Sequence, residues 1–151
     1  ARSADGTFYI AAETGVVFSS DDGGRTWSEL PTPYDGSFFG ILPLGDKTLV
    51  AYGLRGHIFR SEDGGFNWQE IATGTTALLS DGVSQPDGSI VATGMAGIIL
   101  ISLDAGLSFT LHKLNRIPLT SVFMTTAGTL VVGGERGLNR YKFSELKSSK
   151  P

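Results

Sequence analysis

One eight-residue stretch recurs at a fixed interval, and it constrains the fold more than anything else in the chain. It reads Ser20-Asp21-Asp22-Gly23-Gly24-Arg25-Thr26-Trp27, then Ser61-Glu62-Asp63-Gly64-Gly65-Phe66-Asn67-Trp68, then Ser102-Leu103-Asp104-Ala105-Gly106-Leu107-Ser108-Phe109. The serines lie 41 residues apart both times (61 − 20 and 102 − 61). A period near that value marks small units that cannot bury their own apolar faces alone and therefore stack, as propeller blades or solenoid repeats do.

Each fixed residue has a place in a tight turn between two strands. The Asp carboxylate accepts from several turn amides, Gly takes a positive φ, and the Ser or Thr hydroxyl ties off the remaining donors. Ser20, Asp22, Gly24, Ser61, Asp63, Gly65, Ser102, Asp104 and Gly106 are therefore read as structural. Trp27, Trp68 and Phe109 are expected to pack under a neighbouring strand, a burial worth about 2 to 3 kcal/mol each.

The register extends beyond this turn. Thr7, Thr48, Ser89 and Thr129 open a strand in successive units, and Gly15, Gly56, Gly97 and Gly137 close the turn that follows it. Residues 36–76 offer four short strands, at 37–44, 48–52, 57–61 and 67–72, separated by Gly-containing turns. Residues 77–117 repeat them, residues 1–35 lack the first strand, and residues 118–143 lack the last. Residues 144–151 are polar and basic and read as a disordered tail. With 21 glycines and no long stretch of 3.6-residue period, the fold class is all-β, as blades of four antiparallel strands.

The pattern Ser-x-Asp-x-Gly-x-Thr/Asn/Ser-aromatic resembles the Asp box of the bacterial neuraminidase repeat, so the chain looks like an Asp-box β-propeller. Its compact blades carry Arg-Gly before the third strand, in Gly53-Leu54-Arg55-Gly56-His57 and Gly134-Glu135-Arg136-Gly137-Leu138. In this they are most similar to the photosystem II stability and assembly factor family and its bacterial relatives. Closed propellers have about four to eight blades. At this period a seven-bladed one needs about 290 residues, so the chain is expected to be half of one, an excised fragment or a half that self-associates through open blade edges. Its start at Ala1, without Met or signal peptide, reads as a processed or truncated chain.

The resemblance implies that the face carrying the loops between second and third strands, and between blades, is the binding face. Arg55, Arg136 and Arg116 would hold an acidic or C-terminal segment of a partner, a membrane protein being assembled, with Glu135, Lys113 and Asn115 nearby. Tyr34 and Met95 would offer apolar contact. Thr14 and Ala96 stand where the other two units could have carried an arginine, which thins the patch. An extracytoplasmic location is expected with the same resemblance.

Other functions find little support. A net charge of −3 lacks the basic face of a nucleic-acid binder. Without cysteine there is no disulfide framework and no thiolate metal site. His57 and His112 have no partner at ligand spacing, and Asp21-Asp22 and Glu62-Asp63 lack the alternating oxygens of a calcium loop, so neither metal nor cofactor is expected. A sialidase needs three arginines and a Glu-activated Tyr, and a retaining glycosidase needs two carboxylates about 5 Å apart. Tyr34 with Glu13 or Glu135 are the only candidates on the loop face. The inner strands at 37–44 and 119–125 carry no acid, and Asp81 beside Gly82 fits a bulge. The expectation is a non-catalytic binding or assembly module. The alternatives are half of a carbohydrate-active propeller, sialidase-like or glucan hydrolase-like, with its catalytic groups elsewhere, and a structural repeat without a ligand.

Overall fold

The computed structural model of the chain describes residues 1–114 and 116–148. Four antiparallel sheets follow one another along the sequence. The first holds β1 (Phe8–Ala11), β2 (Val16–Ser20) and β3 (Ser28–Pro31). The second holds β4 (Phe38–Leu44), β5 (Thr48–Gly53), β6 (Ile58–Ser61) and β7 (Gln69–Ile71). The third holds β8 (Leu79–Ser84), β9 (Ile90–Gly94), β10 (Ile98–Ser102) and β11 (Thr110–Lys113). The fourth holds β12 (Leu119–Met124), β13 (Thr129–Gly134) and β14 (Gly137–Lys142), followed by a short helix, α1 (Phe143–Ser148). Within each sheet every strand pairs with its sequence neighbour. In the first sheet an isolated bridge from Arg2 to Phe8 stands where the other sheets have a full inner strand.

The sheets stack face to face because their strands alternate apolar residues on both faces. On β5, Leu49 and Ala51 join Tyr9, Val17 and Leu30 of the first sheet, while Val50 and Tyr52 join Leu79, Ile90 and Leu100 of the third. On the third sheet Val91, Ile99 and Ile101 face the other way, into a cluster with Leu119, Val122, Leu130 and Val132 of the fourth. The inner strands β4, β8 and β12 lie side by side, and β1 lies against β4. This is the blade stacking of a propeller.

Where the inner strand of a sheet meets the end of the second strand, the backbone approaches too closely for a side chain. A Cβ on Gly53 would lie 2.1 Å from the Ser37 carbonyl oxygen, one on Gly94 2.0 Å from that of Leu78, and one on Gly134 2.2 Å from that of Pro118. The first sheet has Ala12 at the matching position, where no inner strand is paired beside it.

The recurring turn is closed by its own side chains. Ser61 Oγ donates to Asp63 (2.8 Å) and accepts from Gly65 N–H (2.9 Å), while Asp63 accepts from the Phe66 and Asn67 amides (3.0 and 2.9 Å). Asn67 Nδ2 donates to the second carboxylate oxygen (2.7 Å). Ser20 with Asp22, and Ser102 with Asp104, repeat this arrangement. These donors hold the Asp22 and Asp63 carboxyls down to about 2, chiefly through Thr26 and Asn67 respectively. A folded pKa below the unfolded one stabilises the fold above the unfolded value of about 4 and is lost as pH falls through the folded value. The urea midpoint should therefore fall steadily between about pH 4 and pH 2. In a variant with Asp22→Asn and Asp63→Asn, denaturation curves should show a smaller fall over that window.

Three features depart from the sequence expectations. Trp68 and Phe109 pack against the clusters shared with the preceding sheet, but Trp27 stays 40% exposed, its indole donating to Gly24 O at 3.1 Å. Its own sheet has no preceding sheet among the described residues. The segment expected to be a disordered tail begins as α1. Phe143 and Leu146, one helical turn apart, share a face against the third- and fourth-sheet cluster, and Lys147 reaches Asp87 at 3.6 Å. Residues 149–151 lie outside the described residues.

The third departure is a slip of register. Ala11 pairs with Val17, Tyr52 with Ile58 and Thr93 with Ile99, but the equivalent Gly133 pairs with Leu138, one residue early. A one-residue slip exchanges the two faces of a strand. In the frame of the other repeats Arg140 would occupy the place of Phe59 and Leu100, inside an inter-sheet core. The slip seats Asn139 opposite Val132 and Tyr141 opposite Leu130 on the face toward the third sheet, and leaves Arg140 exposed on the other, which avoids burying a charge.

Candidate functional site: a cationic cleft on the loop face

The turns joining second to third strands gather at one end of the sheets. Three of them place a non-glycine residue in the left-handed region at the same repeat position: Thr14 (φ 56°), Arg55 (φ 56°) and Ala96 (φ 60°). The backbone turns sharply there, which directs the Arg55 side chain into solvent. The fourth turn is a two-residue hairpin, Glu135-Arg136, closed by the Gly134 to Gly137 pair. Arg136 therefore matches Arg55 in sequence but not in turn geometry.

Beside Arg55 lies a cleft of about 530 Å³, lined among others by His57, Glu70, Thr73, Thr75 and Lys113. Its floor is fixed by backbone contacts. The buried Thr73 hydroxyl donates to Gly56 O at 2.8 Å, and a Cβ on Gly56 (φ +74°) would lie 2.3 Å from Thr75 O. Lys113 ends β11, so the cleft bridges the second and third sheets. His57 Nδ1 meets Glu70 Oε1 at 2.6 Å across the β6 to β7 ladder. Among the described residues neither Arg55 nor Lys113 is in an ion pair.

The other residues singled out from sequence are placed as follows. Tyr34 is half-buried. Its ring lies about 5 Å from those of Phe38, His57 and Phe59, and its hydroxyl donates to Leu54 O at 3.1 Å. Burial pushes its phenol up, against the opposing pull of Arg55. Met95 is exposed on the turn of the third sheet, and Arg116, Glu135 and Arg136 are exposed at the same end. None of these four lines the cleft. The segment carrying Arg116 leaves from that end because Leu114 N–H donates to Gly97 O at 3.1 Å. Asn115 lies outside the described residues. Sequence reasoning missed the His57 and Glu70 pair, although one strand offset across a hairpin was the signal that could have found it.

Asp81, the acid of the middle inner strand, sits at a bulge, as expected. Its two oxygens accept from Gly82 N–H (2.9 Å) and from Val122 N–H of β12 (2.8 Å), which ties the third sheet to the fourth. Close by, burial, reinforced by Asp81, pushes the Tyr52 phenol above its usual range. Among the described residues no three His, Asp or Glu side chains converge as a metal site would require.

Stacked antiparallel sheets of three or four strands with a loop-face cleft define a β-propeller module. Solved structures agree on the fold. YCF48 bound to D1 peptide is similar over 87% of this chain and 44% of its own, at 22% identity and a TM-score of 0.66. YCF48 from Cyanidioschyzon merolae is similar over 96% and 50%, at 14% identity and 0.75. An ancestral GH74 enzyme is similar over 93% of this chain but 22% of its own, at 15% identity and 0.77. The chain thus spans half the length or less of these propellers. No protein-family model and no curated protein matches it.

Proposed function

We propose that the chain is a non-catalytic, extracytoplasmic binding module of the Asp-box type that holds an acidic or C-terminal segment of a membrane-complex protein. The observation that carries this reading is the exposed Arg55 and Lys113 at one cleft, with the neighbouring acid, Glu70, already engaged by His57. Guanidinium presents a planar fork to a carboxylate and stays charged at any relevant pH, while the ammonium across the cleft adds a point charge. Arg116, Arg136 and Glu135 extend the same loop face for a longer segment. The likeness to a propeller solved with a peptide supports the reading. So does Asp81, whose engagement by two backbone amides leaves it poorly placed as a glycosidase acid.

The test is affinity capture from a membrane-solubilised extract, comparing the chain with its Arg55→Glu/Arg136→Glu form. A membrane protein should be held by the first and lost by the second, with an unchanged melting temperature because both arginines are exposed. Light scattering must show equal mass, since Ile10 and Trp27 leave an apolar face on the first sheet that could pair copies. Capture of the same proteins by both forms, or of none, would remove the arginines from the account.

A further inference from the structure

Among the described residues Glu70 is the one acid lining the Arg55 cleft. It stands opposite Phe59 on the β6 to β7 ladder, so His57, two residues before Phe59, is its diagonal neighbour on the same face. The imidazole is fixed on its other flank. Its ring lies 5.0 Å from that of Tyr34 and 6.2 Å, nearly parallel, from that of Phe59, and the Tyr34 hydroxyl is tied to Leu54 O. Nδ1 is thereby set 2.6 Å from Glu70 Oε1. Arg55 and Glu70 both act on the Tyr34 phenol, with opposite signs, which places them around one ring. With 56% of its side chain exposed, Glu70 has room to swing toward another partner.

A carboxylate released beside an unpaired guanidinium and an unpaired ammonium turns to them. We propose that His57 is a positioning residue that keeps Glu70 from occupying Arg55 and Lys113 as an internal competitor, and so leaves both cations to an incoming carboxylate. The proposal rests on the reading of the cleft as a carboxylate site. The hold depends on charge. An imidazole changes charge between about pH 5 and pH 8, and a hydrogen bond between charged partners is about twice as strong as a neutral one. Protonated, His57 keeps Glu70; neutral, it releases a share of it to Arg55. The other groups around the ring are Tyr34 with Asp35 beside it, Arg55 from the β5 to β6 turn, and Lys113 from the end of β11. Phenols, carboxylates, guanidinium and ammonium groups do not ordinarily change charge in that range, which leaves the imidazole as the switch.

The test is a double-mutant cycle on the 151-residue chain, read by its affinity for a short peptide with two glutamates and a free C-terminal carboxylate. His57→Phe keeps a ring against Tyr34 and Phe59 but cannot donate to Glu70. At about pH 5.5, Glu70→Gln should tighten binding less than about twofold with His57 in place, and about fourfold or more in the His57→Phe background. Removing a charge without any competition gives equal gains, and equal gains would overturn the proposal. Raising the pH to about 8 should weaken binding by the parent about threefold and leave His57→Phe unchanged. An equal response in both chains would likewise contradict it. A second readout needs no peptide: the Arg55 guanidinium carbon signal should move between the two pH values in the parent and stay still in Glu70→Gln. Equal gains with binding that still requires Arg55 would sink this proposal and leave the cleft reading standing. Absence of any binding would sink the cleft reading, and the guanidinium signal then decides: a shift that requires Glu70 supports the part given to His57, and no shift overturns it.

Discussion

Gly94→Ala should destabilise the protein by about 3 kcal/mol, the upper part of the range for forcing atoms into a packed core. The cause is steric and not conformational. Gly94 has φ −167° and ψ −166°, extended backbone that any residue adopts. The added Cβ would nevertheless lie 2.0 Å from the carbonyl oxygen of Leu78 and 3.0 Å from its carbon. Main-chain atoms cannot step aside as a side chain can, so β8 and β9 must part where the third sheet nears the axis. Gly53 and Gly134 should behave alike. The control is Ala12→Gly, which removes a methyl where no inner strand is paired and should cost under about 1 kcal/mol. Urea denaturation of the four variants measures all of this. Comparable losses at Ala12 and Gly94 would contradict the close-approach account.

Leu100→Ala should cost about 2 to 5 kcal/mol, as fully buried leucines do. Leu100 has no exposed surface and packs with Val50, Ile58, Leu79 and Ala92 between the second and third sheets. Its neighbour Ile99 is equally buried but points into the cluster with Leu119, Leu130 and Val132 between the third and fourth. Ile99→Ala should therefore cost a similar amount at a different interface. Because the two clusters lie on opposite faces of one sheet, the double variant should lose about the sum of the single losses. Hydrogen exchange gives the sharper readout. Leu100→Ala should speed exchange most in β5 and β9, and Ile99→Ala most in β12 and β13. Identical exchange maps would mean that the sheets do not stack in the order described.

Much of this architecture could be read from residues alone. The serines at 20, 61 and 102 give the period, and the Asp and Gly positions behind them give turns whose hydrogen bonds follow from side-chain chemistry. What escaped was whatever depends on a neighbour outside the repeat. Trp27 has the same sequence environment as Trp68, yet only Trp68 has a preceding sheet to cover it. The slip in β14 was invisible because Arg136 aligns perfectly with Arg55. It follows from a three-dimensional choice, Tyr141 in the core instead of Arg140, that a spacing rule does not weigh. The α1 helix was masked by its polar composition, since two apolar residues one turn apart suffice when a cluster waits beneath them.

The same division holds for the site. Arg55 in its turn was legible, and Lys113 was placed on the right face. That these two meet at a cleft while Arg116 and Arg136 stand apart from it depends on how the second and third sheets pack. Tyr34 reads in sequence as a source of apolar contact on the loop face; that its ring also lies about 5 Å from those of Phe38, His57 and Phe59 depends on the fold and no repeat spacing reveals it.

The central claim is that the Arg55 cleft receives a carboxylate-bearing segment. The most direct measurement is an amide chemical-shift titration of the labelled chain with a short peptide carrying two glutamates and a free C-terminal carboxylate. The account predicts saturable shifts at residues 54–57, 73–76 and 113 that weaken with added salt and vanish in Arg55→Glu. Shifts confined to the turns at 20–27, 61–68 and 102–109, or a titration unchanged in Arg55→Glu, would contradict it.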